Sequence, residues 1–571
     1  MTAKAFFLFI LPFILFFTSC AGTTNDESLS YISSIDVEIP GVQRDKIPFV
    51  IRNKSAGSAK WVWEVIDSES GKVIEASSQA EPGLSLPVGT YDIRVIATGT
   101  NILQRHIRRA ISVLPPVFEE KDADEIFDLN AVDGELLAKD YDNIERPGYK
   151  IVIKGRLNGR IRITGLRGTK ENPVHIINQG QVEVNPTSMN SPYPWQFSDN
   201  NQYIILDGLA DPSVQYGFRL KGHPSKSGQI LFIAGEFNRG FEICGVNLIG
   251  QQGKTYGAAA LQIQTSFTKK CNASNWNFEY FHFHHNKIER ASSEGLYVGY
   301  FTDEKRETGY SPYRVGNVII YRDTIIDAGW DGIQIASADE FEVHDNYVNG
   351  TSLSGKRSHS SFLSWNSGNT IGWCYRNTFV NGAHGASVVF GESGKEAYIY
   401  SNLFIEGNFP SNITTPAFLF AKVSNARQNV GIYIFHNTIS TSRISAKVDY
   451  KNDKGGNGIP VLFAGNAILQ NRLNLKKFPE IAMGSNLSDS TAWTIDNVWR
   501  MKDQEGELLW DKNYHPLPGS PLLNISFDIR EHIPKLKGGY YDRDGYPFRN
   551  DELGVAAGCF GAWQLSTSPK P

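Results

Sequence analysis

The sequence predicts an all-β protein, a right-handed parallel β-helix preceded by a small β-sandwich, on three observations. Short apolar strands recur from about Phe127 and end in Asn-x-apolar steps. The intervals between those steps vary as solenoid coils with inserted loops do, and residues 31–115 alternate apolar with polar at period two. Composition agrees, with 53 Gly and 12% aromatic residues, as in turn-rich all-β chains. The 571 residues give room for two or three domains; 56 Lys+Arg against 60 Asp+Glu leaves a formal charge of -4, so no bulk field gathers nucleic acid.

At the N-terminus, Lys4 precedes an apolar run from Ala5 to Phe17 and then Thr18-Ser19-Cys20-Ala21. That run is short for a bilayer span and reads as a signal peptide. The small residues before Cys20 resemble the lipobox at which bacterial lipoproteins are cleaved and acylated. Residues 1–20 are therefore expected to be a lipoprotein signal with Cys20 the lipidation site, and residues 21–30 a polar tether. The folded part would be extracytoplasmic, lipid-anchored to the bacterial outer membrane. Of the other cysteines, Cys244, Cys271, Cys374 and Cys559 could pair in three ways in an oxidising compartment.

Residues 31–115 carry Phe49-Val-Ile51, Trp61-Val-Trp63-Glu-Val65 and Thr90 to Ala97 as alternating strands, which suits an immunoglobulin-like sandwich. The stretch Leu86-Pro-Val-Gly-Thr-Tyr-Asp-Ile-Arg-Val95 resembles the closing strands of PKD-type modules, although their Trp-Asp-Phe-Gly-Asp signature is absent. Such a module is expected to act as a spacer. Two prolines and a charge run after Leu114 place a linker at 116–130, and the β-helix at 131–565.

The repeat itself is carried by Asn286, Asp323, Asn346, Asn377, Asn402, Asn437 and Asn466, at steps of 37, 23, 31, 25, 35 and 29 residues. A residue of this kind at one turn of every coil can stack on the next and pair the backbone groups that a tight bend leaves open. Counting on from these positions predicts an in-register strand in five coils, beginning at Gly295, Gly332, Ser361, Ala386 and Ala417. The residues just before them form a column of Glu294, Asp331, Ser360, Gly385 and Pro416, with His359 and His384 one position behind.

Two further stretches carry a family resemblance. Leu166-Arg-Gly-Thr-Lys-Glu-Asn-Pro-Val-His-Ile-Ile177 looks like the first-coil motif of pectate-lyase-like β-helix proteins. Gly519-Ser-Pro-Leu-Leu523, Asp542 to Arg549 and Gly558-Cys-Phe-Gly-Ala-Trp563 look like their closing segment. The superfamily hosts many chemistries, so activity must be argued from a site. In placement, Ser293-Glu294-Gly295, Trp330-Asp331-Gly332 and Ser358-His359-Ser360 resemble the three catalytic motifs of polygalacturonases. Their content departs: Trp330 stands where the first acid of a pair would be, the histidine is displaced by one, and no Arg-Ile-Lys follows.

Two acids on adjacent coils with a histidine beside them suit acid/base cleavage of a glycosidic bond, one acid protonated and the other ionised. Glu294, Asp331 and His359 are the expected catalytic residues, and a polysaccharide the expected partner. Asp-Gly and Glu-Gly also form ordinary turns, so both acids could be structural only. Tyr297, Gln334 and Trp365 are read as outward-facing sugar contacts, with Arg306, Arg357 and His384 as further substrate-binding groups. A uronate lyase would instead draw on loop cations such as Lys305, Arg306, Arg314, Lys356 and Arg357. Glu294, Asp331 and Asp303 could bind Ca²⁺, without the spacing of a calcium loop; no metal site is assigned. His282 and His284 share a strand face but lack a third ligand. A non-catalytic glycan-binding or adhesive protein is the competing class.

Overall fold

The computed structural model describes residues 37–501, except 40, 54–59, 68–71, 100–101, 139–140, 142–143, 188–192, 226–227, 252–257, 301–307, 357–358, 367–369, 391–395, 408–416, 425–430, 443, 452–460, 471–480, 484–491 and 496–497. Cys20, the tether and the closing segment lie outside the described residues. Among those described, no helix is long and apolar enough to cross a membrane.

The chain is a right-handed parallel β-helix behind a small β-sandwich. The first coils supply two strands each, and from Gln202 onward a full coil supplies three. In one coil these are Phe278–His284, Lys287–Glu289 and Leu296–Val298; in the next, Val315–Tyr321, Thr324–Ile326 and Ile333–Ala336. The first two strands of these coils, with the single strands Glu125–Asp128, Lys150–Leu157 and Val174–Val184 of the first coils, build a 23-stranded sheet, and the remaining strand of each coil joins a 12-stranded sheet. Pairing is parallel throughout and already begins at Glu125, which aligns with Ile151, within the stretch read as linker. Alternate residues point inward, so Phe281, Phe283, Ile288, Leu296 and Val298 join one continuous core that no single coil could close.

The tight bend between the first two strands is fixed by the expected ladder. Asn377 Oδ1 accepts the Asn346 backbone N–H at 3.0 Å, while its Nδ2 donates to Val343 O at 2.8 Å. Asn402, Asn437 and Asn466 repeat both bonds for the coil before each of them. The residue before each ladder position takes positive φ, from 51° at His436 to 59° at Gly465, which lets the chain turn within two residues. Asp323 is the exception in chemistry: its Oδ1 accepts the Asn286 N–H at 2.7 Å, but its Oδ2 is buried without a partner.

In the N-terminal module, strands Val42–Arg44, Ile102–Leu114, Gly89–Gly99, Lys60–Asp67 and Val73–Ser77 form one sheet in that order. Trp61, Trp63 and Val65 alternate into its core with Ile93 and Val95, as period two requires. The module is not a detached spacer. Arg44 forms an ion pair with Asp207 of the solenoid, and the fully buried Asp207 also meets His175 Nε2 at 2.9 Å. Two opposite charges out of water need each other, which binds the two parts together.

Cys244, Cys271 and Cys374 are buried free thiols, so the expected pairings among them do not form; Cys559 lies outside the described residues.

Candidate functional site

The turns between the second and third strands of three successive coils supply Glu294, Asp331 and His359. Gly295 N–H donates to Asp331 O at 3.0 Å and Gly332 N–H to Ser361 O at 2.9 Å, which stacks the turns in line. A nitrogen of His359 and a carboxylate oxygen of each acid all lie within 4.8 Å of one another. Nδ1 of His359 is 3.3 Å from Asp331 Oδ2 and 3.5 Å from Glu294 Oε1. The three residues expected to act together therefore do meet.

They are recessed. The side chains of Glu294 and Asp331 are 4% and 1% exposed, that of His359 26%, so solvent meets the trio through the imidazole. Trp330 stacks on the His359 ring at 5.0 Å, and Lys356 Nζ lies 3.9 Å from the centre of the Trp330 ring, forming the outer layer. Burial, then the charge of Asp331, raises the Glu294 pKa. Burial also raises Asp331, opposed by His359, by the Ser361 N–H at 2.6 Å and by the Ser364 hydroxyl. Burial alone would discharge His359, but the hydrogen bond to Asp331 and the charges of both acids outweigh it and raise its pKa. Glu294 in turn is eased downward by Ser293, by its own backbone N–H and by the His359 charge, so both acids stand above the ordinary carboxylate range with one imidazole shared between them.

The column behind Asp331 differs by one residue from expectation. Ile333 aligns with Leu363, and Ser361 with His384, so the positions following Asp331 are Ser361 and His384 rather than Ser360 and Gly385. One consequence is a correction: Trp365 aligns with Ile335 and points into the core against Phe341, where it cannot touch a sugar. Gln334 is likewise corrected from exposed to buried, at 1% exposure; it stands between Tyr297 and Ser364 in the outward column beside the acids. His384 is 6% exposed and its Nδ1 meets Ser360 Oγ at 3.0 Å, so it braces the turn instead of facing substrate. Tyr297 is half-buried; burial and then the Glu294 charge hold its hydroxyl protonated.

Arg306, Arg357, Lys305 and Asp303 lie outside the described residues. Arg314 is spent on Asp339 and Thr370 rather than folded over the acids. His284 is paired with Glu242 at 2.9 Å and with His285, in keeping with a structural part. Sequence reasoning placed Lys356 among the loop cations near the acids but missed Trp330, and with it the layer that the two form over the imidazole. Their adjacency to Asp331 and His359 was the available signal.

One imidazole nitrogen and two carboxylate oxygens form a donor set that suits a divalent transition metal. Calcium, which takes six to eight oxygens, would need more than these two carboxylates.

No family model matches the chain, and no curated protein matches it. Four chains of solved structures match, among them a family 28 exopolygalacturonase of Yersinia enterocolitica at 9% identity and a TM-score of 0.27, covering 82% of this chain and 98% of that one; a likeness this distant says nothing about activity.

Proposed function

We propose that the protein is an extracytoplasmic enzyme that cleaves a glycosidic bond in a polysaccharide, with Glu294 as acid, Asp331 as base and His359 passing protons between them and the solvent side. What carries the reading is the convergence of three ionisable side chains from three consecutive coils, two of them acids with raised pKa values. Glu294 would protonate the leaving oxygen as the C1–O bond breaks. Asp331 would take the proton of the attacking water by way of His359, the member of the trio open to solvent. A sugar would approach past His359 and Trp330, the half-buried members of the cluster. We place the solenoid with the pectate-lyase-like β-helices and the module with PKD-type sandwiches, and the chain on the outer membrane through an acylated Cys20.

Reducing-sugar release from a panel of polysaccharides tests the reading, with the Glu294→Gln and Asp331→Asn proteins as controls. New ultraviolet absorbance from an unsaturated uronate would indicate a lyase instead, and binding without any cleavage a glycan-binding protein. The donor set of the trio favours one second reading, a divalent-metal centre. Loss of activity on chelation, restored by a transition metal, would select it.

A further inference from the structure

A groove of about 580 Å³ lies along the outer wall of the first coils, lined by Arg156, Arg219, Lys221 and Arg290 together with Asn158 and Asn185. Arg156 aligns with Glu183 and Glu183 with Arg219, so the two arginines stand two coils, roughly 10 Å, apart. Glu183 approaches Arg156 at 3.5 Å, Arg219 at 3.4 Å and Lys221 at 3.3 Å. One carboxylate cannot neutralise three cations, and Arg290, on a later coil beside Glu289, is exposed. The side chains of Arg156, Arg219 and Lys221 remain 59%, 43% and 35% exposed. Asn185 adds an amide whose oxygen and nitrogen have no partner.

The groove also leads toward the acids. It shares Gly222, Gly250 and Gln251 with a second, small hollow whose far wall is Ala291 and Ser292, just before Glu294 in the chain. Arg290 opens the turn that carries Glu294.

We propose that this groove binds the acidic groups of a polyanionic polysaccharide laid along the solenoid axis. Arginine forks take carboxylate or sulfate oxygens in pairs, and local positive charge selects such a strand although the whole chain is slightly negative. Cations spread over several coils fit an extended ligand rather than one small anion. The inference deepens the glycan-cleaving reading of Glu294, Asp331 and His359 by naming its substrate class, and rests on that reading only for cleavage.

The test is binding of the full chain to polygalacturonate, a sulfated glycosaminoglycan and neutral dextran, by calorimetry at low and high salt. Binding to one or both acidic polymers, weakened by salt, with none to dextran, is the expected result. Arg219→Gln with Lys221→Gln should lower affinity about tenfold or more; Arg290→Ala, at an exposed position, should lower it too, and covers the case in which the double variant misfolds. Equal binding of dextran, or unchanged affinity in both groove variants, overturns the proposal. Cleavage of a neutral glycan without acidic binding would remove the groove and leave the acid cluster standing. Acidic binding without cleavage would do the reverse.

Discussion

Oδ2 of Asp331 faces Nδ1 of His359 at 3.3 Å while Oδ1 of the same carboxylate accepts the Ser361 amide at 2.6 Å. One oxygen holds the turn and the other is left for proton traffic. Asp331→Asn keeps an acceptor for Ser361 and removes the ionisable group, so it separates the two duties. Turnover should fall by about a hundredfold or more in Asp331→Asn and in Glu294→Gln, with circular dichroism and melting little changed. Full activity in both would retire the acid/base reading.

Replacing His359 by Asn should move the pH dependence. The imidazolium lowers both carboxyl pKa values, and burial, which raises them, would then act with less opposition. The acid limb of the rate profile, where Asp331 must ionise, should shift to higher pH. A profile of reduced height and unchanged shape would mean that His359 acts only as packing.

Asp323 predicts a gain in stability. Its buried Oδ2 has no partner, and burial holds its pKa well above the usual carboxylate range. The folded state thus favours the protonated acid: this preference supports folding fully below the unfolded value of about 3.9 and is lost as pH rises through the folded pKa. Asp323→Asn supplies the Nδ2 that its ladder neighbours use, and should raise stability at neutral pH by on the order of 1–3 kcal/mol. Chemical denaturation at pH 7 and at pH 4 should find that gain smaller at the lower pH.

Arg44→Met would leave the Asp207 carboxylate buried with the His175 ring, the Leu209 N–H and the Cys244 thiol as its remaining partners. Burial alone would raise the Asp207 pKa, but His175 and Arg44 together hold it well below the ordinary range. A depressed pKa contributes stability above the unfolded value and loses it as pH falls. The variant should lose about 3–5 kcal/mol near pH 7, and less below pH 4. Limited proteolysis between module and solenoid should speed up in parallel; an unchanged cleavage rate would show that this contact does not secure the module.

The solenoid was legible because its ladder is chemical as well as periodic: Asn377 and its equivalents recur at bends whatever the loop lengths between them. Glu294, Asp331 and His359 were legible because stacked turns carry distant residues to one point. The inward side of Trp365 was not, since a single extra residue before Leu363 moves every following side chain to the other face. Burial of Gln334 and His384 depends on what the neighbouring coils place over them, which no local pattern records. The docking of Arg44 on Asp207 joins residues 163 positions apart with no repeat to announce them. The basic groove was visible only as two outward alternations, at Arg156-Leu-Asn158 and Arg219-Leu-Lys221, that mean little until the coils are stacked.

The bends have a direction. The amide of Asn346 is capped by Asn377 and that of Asn377 by Asn402, each from the coil that follows. The last bend of any stack therefore depends on a coil beyond it, and a chain cut short within the solenoid would leave that bend's amide without its cap.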